Sequence, residues 1–102
     1  MQAGVGPKAL DLEDFTSHAL EHFRVAGDGE VDLQLVEVSD LGPAAPVAGR
    51  RRSFSLLFRG TRDLPLGQGI HRLEHAVMGR LEMFLVPVGR DDRGMLYEAI
   101  FN

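Results

Sequence analysis

A chain of 102 residues, 44% apolar and 25% charged, has the size and composition of one ordinary folded domain, with little room for a second. The absence of cysteine excludes a disulfide framework, a thiolate nucleophile and a thiolate zinc site. The net charge of −4 makes nucleic acid a poor partner, although it hides an asymmetry: residues 1–40 balance to −7, whereas residues 41–102, with nine arginines, balance to +3.

Residues 1–9 are small and unpatterned and are expected to be disordered or loosely attached, leaving residues 10–102 as a single β-rich domain. From Leu10 the apolar positions Leu12, Phe15 and Ala19 recur at helical spacing, and Asp11, Glu13 and Asp14 favour the positive end of a short helix near Leu10–His18. The segment Leu20–Val25 then reads as extended, and Ala26-Gly27-Asp28-Gly29 as a turn. Val31–Val38 is the clearest early strand. Its apolar phase shifts after Leu35 to Val36 and Val38, as a β-bulge or a strand covered on both faces would require.

Asp40–Arg52 is rich in proline, glycine and alanine and reads as a long exposed loop. Ser53–Arg59 alternates cleanly, with Phe54, Leu56 and Phe58 on one face, and Gly60–Gly69 reads as a loop. Ile70–His75 and Leu81–Val88 follow as strands around a turn near Met78-Gly79. Met95–Phe101 is the last, reached through the polar hairpin loop Gly89–Gly94.

Connections this short allow antiparallel neighbours and leave no crossover helix for parallel ones. The expected fold is therefore mainly β: six antiparallel strands curled into a partial barrel or small sandwich, with one short N-terminal helix. Apolar residues on both faces of Leu81–Val88 and Leu96–Phe101 call for cover from that helix or from a second copy of the chain.

All four histidines fall in two look-alike pentads, His18-Ala19-Leu20-Glu21-His22 and His71-Arg72-Leu73-Glu74-His75. On a helix, H-x-x-E-H places two imidazoles and a glutamate on one face, as in certain zinc peptidases. The second pentad lies in a strand-like segment, where His71 and His75 would stand about 13 Å apart, too far for one metal. The first sits where helix gives way to strand, so His18 and His22 are weak metal candidates and a solvated helix end is the simpler reading. No resident metal or other cofactor is expected.

Arg50, Arg51 and Arg52 form the sharpest charge cluster and are the candidate binding residues, for an acidic protein surface or a phosphate. No aromatic residues interleave with them, so the stacking half of a nucleic-acid platform is missing. Asp91-Asp92 lacks the spaced ligands of a calcium loop and reads as a soluble hairpin turn. No serine has a nucleophile setting, and no enzyme is expected.

Several segments carry a family resemblance from Leu10 onward: Leu12-Glu13-Asp14-Phe15, Leu35-Val36-Glu37-Val38, Phe54-Ser55-Leu56-Leu57-Phe58-Arg59-Gly60, Phe84-Leu85-Val86-Pro87-Val88-Gly89-Arg90 and Tyr97-Glu98-Ala99-Ile100-Phe101-Asn102. Together they resemble a family of small bacterial proteins, of about this chain's length, classed as a domain of unknown function. The resemblance brings no activity, cofactor or catalytic residue. It implies an accessory or assembly role, through an association with phage-tail-like collar and fibre genes. The chain departs from the family's pattern at His22 and His71, which weakens the metal reading of both pentads.

The leading expectation is a non-enzymatic domain that binds protein or self-associates, through the Arg50–Arg52 loop and the exposed face of the last hairpin. A second reading is a small apolar-ligand carrier with Phe54, Phe58, Phe84 and Phe101 lining a cavity. A third is a metal-dependent hydrolase using the H-x-x-E-H histidines. No apolar run approaches the roughly 20 residues that span a bilayer, and residues 1–15 lack a signal-peptide core. Cytoplasmic residence is expected, with export as part of an assembly as the other course.

Overall fold

The computed structural model describes residues 10–26, 31–43, 52–60 and 66–101. One helix, α1 (Leu12–Thr16), precedes six strands: β1 (His22–Val25), β2 (Asp32–Pro43), β3 (Arg52–Gly60), β4 (Gly69–His75), β5 (Gly79–Asp91) and β6 (Gly94–Phe101). Every pairing is antiparallel, and the order β1-β2-β3-β6-β5-β4 returns to β1, so one sheet closes into a ring. The closing seam is short, Arg24 opposite Glu74 and Val25 opposite Leu73.

Alternation along the strands sends one set of side chains into the ring. Leu33 and Leu35 of β2, Phe54, Leu56 and Phe58 of β3, Leu73 of β4, Leu81, Met83 and Leu85 of β5, and Tyr97 and Ala99 of β6 are all buried there. Each large side chain so removed from water contributes roughly 1.5–3 kcal/mol before chain entropy is counted. The phase shift read at Val36 is a bulge, since the β2–β3 register slips between Leu35 and Glu37.

The helix is shorter than expected, five residues behind Asp11, whose backbone N–H donates to the Asp14 carboxylate at 2.8 Å. Its weight comes from one residue. Phe15 is fully buried and packs against Phe54 and Phe101, which stack on each other with centroids 4.7 Å apart. So α1 seals one end of the ring instead of covering a sheet face.

Several expectations need correction. Asp40–Arg52 is not all loop: β2 continues to Pro43, through a second slip between Asp40 and Gly42, and pairs Pro43 with Arg52. Gly42 has φ +103°, a conformation glycine adopts without strain, and the Asp40 carboxylate accepts its N–H. The Gly89–Gly94 loop shrinks to Asp92-Arg93, because Gly89, Arg90 and Asp91 continue β5 and Gly94 opens β6. Asp91 also does more than keep a turn soluble. It accepts from Arg59 Nη2 at 2.7 Å and from Nε at 3.1 Å, joining the β5–β6 turn to β3. That guanidinium holds the Asp91 carboxyl below its ordinary range.

Residues 1–9, the Gly27-Asp28-Gly29 turn and the loop residues Arg50 and Arg51 lie outside the described residues. The backbone of Arg52 opens β3. Among the described residues no helix is long and apolar enough to cross a membrane.

Candidate functional site

The two pentads meet, but not as pairs of histidines within each. After α1 the chain turns through Ser17–Leu20, and Leu20 adopts φ +71°, unusual for a branched side chain. That left-handed residue reverses the backbone so that Leu20 N–H reaches the Leu35 carbonyl at 2.7 Å and Leu35 N–H reaches that of Glu21 at 3.0 Å. The reversal sets the His18 and Glu21 side chains beside the end of β4, where His75 points into the ring.

Glu21 Oε1 is shared by two imidazoles, with His18 Nδ1 at 2.8 Å and His75 Nε2 at 2.7 Å. The rings of His18 and His75 meet edge to face with centroids 4.6 Å apart, and His75 also packs on Phe23 at 4.5 Å. These hydrogen bonds, that from His18 foremost, hold the Glu21 carboxyl below its ordinary pKa of 4.5. The group therefore favours the folded state above that value, and its contribution disappears as pH falls through the lower folded value.

The other nitrogen of His75 decides what this trio can do. The N–H groups of Val77 and Met78 both point at His75 Nδ1, each at 3.0 Å. That nitrogen is therefore an acceptor, so the neutral ring carries its proton on Nε2 and donates it to Glu21. Two histidines and a carboxylate within 4.8 Å of one another match a common metal-ligand set. A metal on Nε2, however, requires the ring proton on Nδ1, where two backbone donors already converge. As arranged, the trio is a hydrogen-bonded clamp between the α1–β1 turn and the β4–β5 turn.

The remaining histidines stand apart from it. His22, exposed on β1, pairs with Asp32 across the β1–β2 ladder. His71 Nε2 donates to the Gly67 carbonyl at 2.7 Å. His18 and His22, the metal candidates from sequence, are thus in different contacts, and the partner that joins His18 is His75, which sequence reasoning had set aside. Beside the clamp lies an open cleft of about 410 Å³, lined by His22, Arg24, Asp32, Glu74, His75 and Ala76. Its charges are matched internally, Arg24 to Glu74 at 3.3 Å and His22 to Asp32.

The outer surface of the ring carries a different feature. On β4 the outward residues are Ile70, Arg72 and Glu74, and on β5 they are Phe84, Glu82 and Arg80, each directly opposite its counterpart. Ile70 is 72% exposed, Phe84 49% and Ile100 of β6 55%. Val86 faces Glu98 across β5–β6, so Phe84 and Ile100 each lie two residues along from that pair, towards the same end. Ile70 and Phe84 thus form an exposed apolar pair across β4 and β5, and Ile100 is exposed on the neighbouring strand β6. Phe84 does not join Phe54 and Phe58 inside the ring, as the carrier reading supposed, and Phe101 is only partly buried, against Phe15 and Phe54.

No curated protein and no solved structure matches the chain. A family model described as a domain of unknown function, DUF6916, matches residues 10–101. With that match covering all but the chain's ends, the protein belongs to the DUF6916 family.

Proposed function

We propose that this is a non-enzymatic protein-binding domain with an accessory or assembly role in a larger structure, of the phage-tail-like kind that the family resemblance implies. The observation that carries the reading is the exposed Ile70–Phe84 pair on the outside of β4 and β5, with Ile100 exposed on the neighbouring β6. Ile70, Phe84 and Ile100 together expose on the order of 300 Å² of apolar surface, a size at which patches on small proteins are often functional. The sheet does not need them outward for its own stability, since the interior is filled by other residues. The clamp side chains engage one another and leave no nucleophile and base aimed at a common point, which supports a binding role over a catalytic one.

The test places a photo-reactive phenylalanine analogue at position 84 in cells that make the protein. Ser39, an outward residue of β2 opposite Ser55, serves as the control position. A discrete protein adduct from position 84, weak or missing from position 39, is the expected result. Equal labelling from both positions, or none from 84, would overturn the reading.

A further inference from the structure

The outward face of β4 and β5 is built in rows. Ile70 is opposite Phe84, Arg72 is opposite Glu82, and Glu74 is opposite Arg80. Within each charged row the two strands carry opposite signs, and the sign order reverses from one row to the next. Arg72 and Glu82 approach to 3.6 Å and Glu74 and Arg80 to 4.0 Å, with three of the four side chains more than half exposed. Glu74 also accepts from Arg24 of β1 at 3.3 Å, which leaves its row with an extra positive charge. Such exposed pairs do little for the stability of one chain.

We infer that this face pairs with the same face of a second copy, about a two-fold axis running parallel to the strands between β4 and β5. The inference rests on the protein-binding reading above and names the partner. Rotation about such an axis lays β4 of one copy over β5 of the other and keeps every row in place. Ile70 then meets the partner's Phe84, Arg72 meets the partner's Glu82, and Glu74 meets the partner's Arg80. An axis running across the strands through the Arg72–Glu82 row fails, because it sets Ile70 against the partner's Glu74. One symmetric operation therefore satisfies all six side chains at once, as an isologous interface requires.

The face is small. It buries on the order of 1,000 Å² in the pair, at the low end of specific interfaces, the size class of weak, transient pairing.

The test is a charge-swap mixing experiment, read as solution mass by light scattering over a concentration series. Wild-type mass should rise from 11.2 kDa towards twice that value. Glu82→Arg puts arginine at both positions of its row, and Arg72→Glu puts glutamate at both. Each variant alone should self-associate at least tenfold more weakly than wild type. An equimolar mixture should recover the association, since each copy then presents the sign that the other lacks. Melting curves of the single variants check folding, and Glu74→Arg mixed with Arg80→Glu repeats the experiment on the neighbouring row. Single variants that pair as well as wild type, or mixtures that stay monomeric, overturn the two-fold arrangement. If wild type stays monomeric while position 84 still captures another protein in cells, self-pairing fails and the binding reading survives. If both tests are empty, both fall.

Discussion

His75 holds two turns through its two nitrogens, and substitutions that mimic one nitrogen at a time can separate these roles. Asparagine places its side-chain oxygen near the position of Nδ1, so His75→Asn keeps an acceptor for the Val77 and Met78 N–H groups and loses the donor to Glu21. Glutamine places its amide near Nε2, so His75→Gln keeps the donor and loses the acceptor. His75→Ala loses both, together with the packing on Phe23 and His18. Deleting a buried ring costs about 2–5 kcal/mol, and each hydrogen bond adds about 1 kcal/mol. The alanine variant loses the ring and three hydrogen bonds and should therefore lose about 5–8 kcal/mol of stability, and the two mimics about 1–3 kcal/mol each.

Magnitude alone does not separate asparagine from glutamine, so two readouts are needed. Amide exchange at Val77 and Met78 reports the acceptor. Stability measured by urea titration from neutral pH into acid reports the donor. Wild type should lose stability as pH falls below 4.5, because the Glu21 carboxyl is held below that value by both histidines. His75→Asn should protect the two amides yet lose less stability over the same acid range. His75→Gln should do the reverse. Loss of amide protection in His75→Asn, or an acid profile in it identical to wild type, would refute the assignment of the ring proton to Nε2.

Three further outcomes follow from the same geometry. Gly94 and Gly89 have nearly equal φ, +146° and +149°, but a Cβ on Gly94 would fall 1.9 Å from the Gly60 carbonyl oxygen while one on Gly89 meets open space. Gly94→Ala should therefore cost about 2–4 kcal/mol more than Gly89→Ala in denaturant titration; equal losses would mean that β3 and β6 are not so closely apposed there. Leu20 is 63% exposed and held at φ +71°, so Leu20→Asn should be neutral or stabilising by up to about 1 kcal/mol, read as a melting shift of a few degrees. One equivalent of zinc should leave the melting temperature within a degree of the metal-free value; a rise of several degrees that disappears in His75→Ala would make the clamp a metal site.

Much of the fold was readable because burial in this chain is one-sided and periodic. Phe54, Leu56 and Phe58 announced their inward face by alternation alone, and the slip at Val36 showed in the apolar phase. The misreadings occurred where residues that usually break structure sit inside strands. Gly42 and Pro43 read as loop, but the left-handed glycine accommodates a bulge and the proline lies at the strand's end. Phe84 was unreadable for a different reason. Both faces of Leu81–Val88 are apolar, and only the pairing of β5 with β4 and β6 fixes which face turns inward.

The clamp was half readable. The repeated pentads drew attention to the right residues, but His18 and Glu21 meet His75 across a gap of 54 positions between Glu21 and His75. That meeting depends on the β1–β4 seam and on the reversal at Leu20, neither of which has a local signature. Alternation inward from Leu73 to His75 was the one usable signal. The arginine loop is a different case, because Arg50 and Arg51 fall outside the described residues and the structure adds nothing to them.

The most direct test of the two-fold pairing is a residue-resolved one: amide and methyl chemical shifts of the wild-type chain, followed from micromolar to millimolar concentration. Concentration-dependent shifts centred on Ile70, Arg72, Glu74, Arg80, Glu82 and Phe84, with His18, Glu21 and His75 unmoved, are the expected result. Shifts centred on the clamp, or a spectrum unchanged over the whole range, would contradict it.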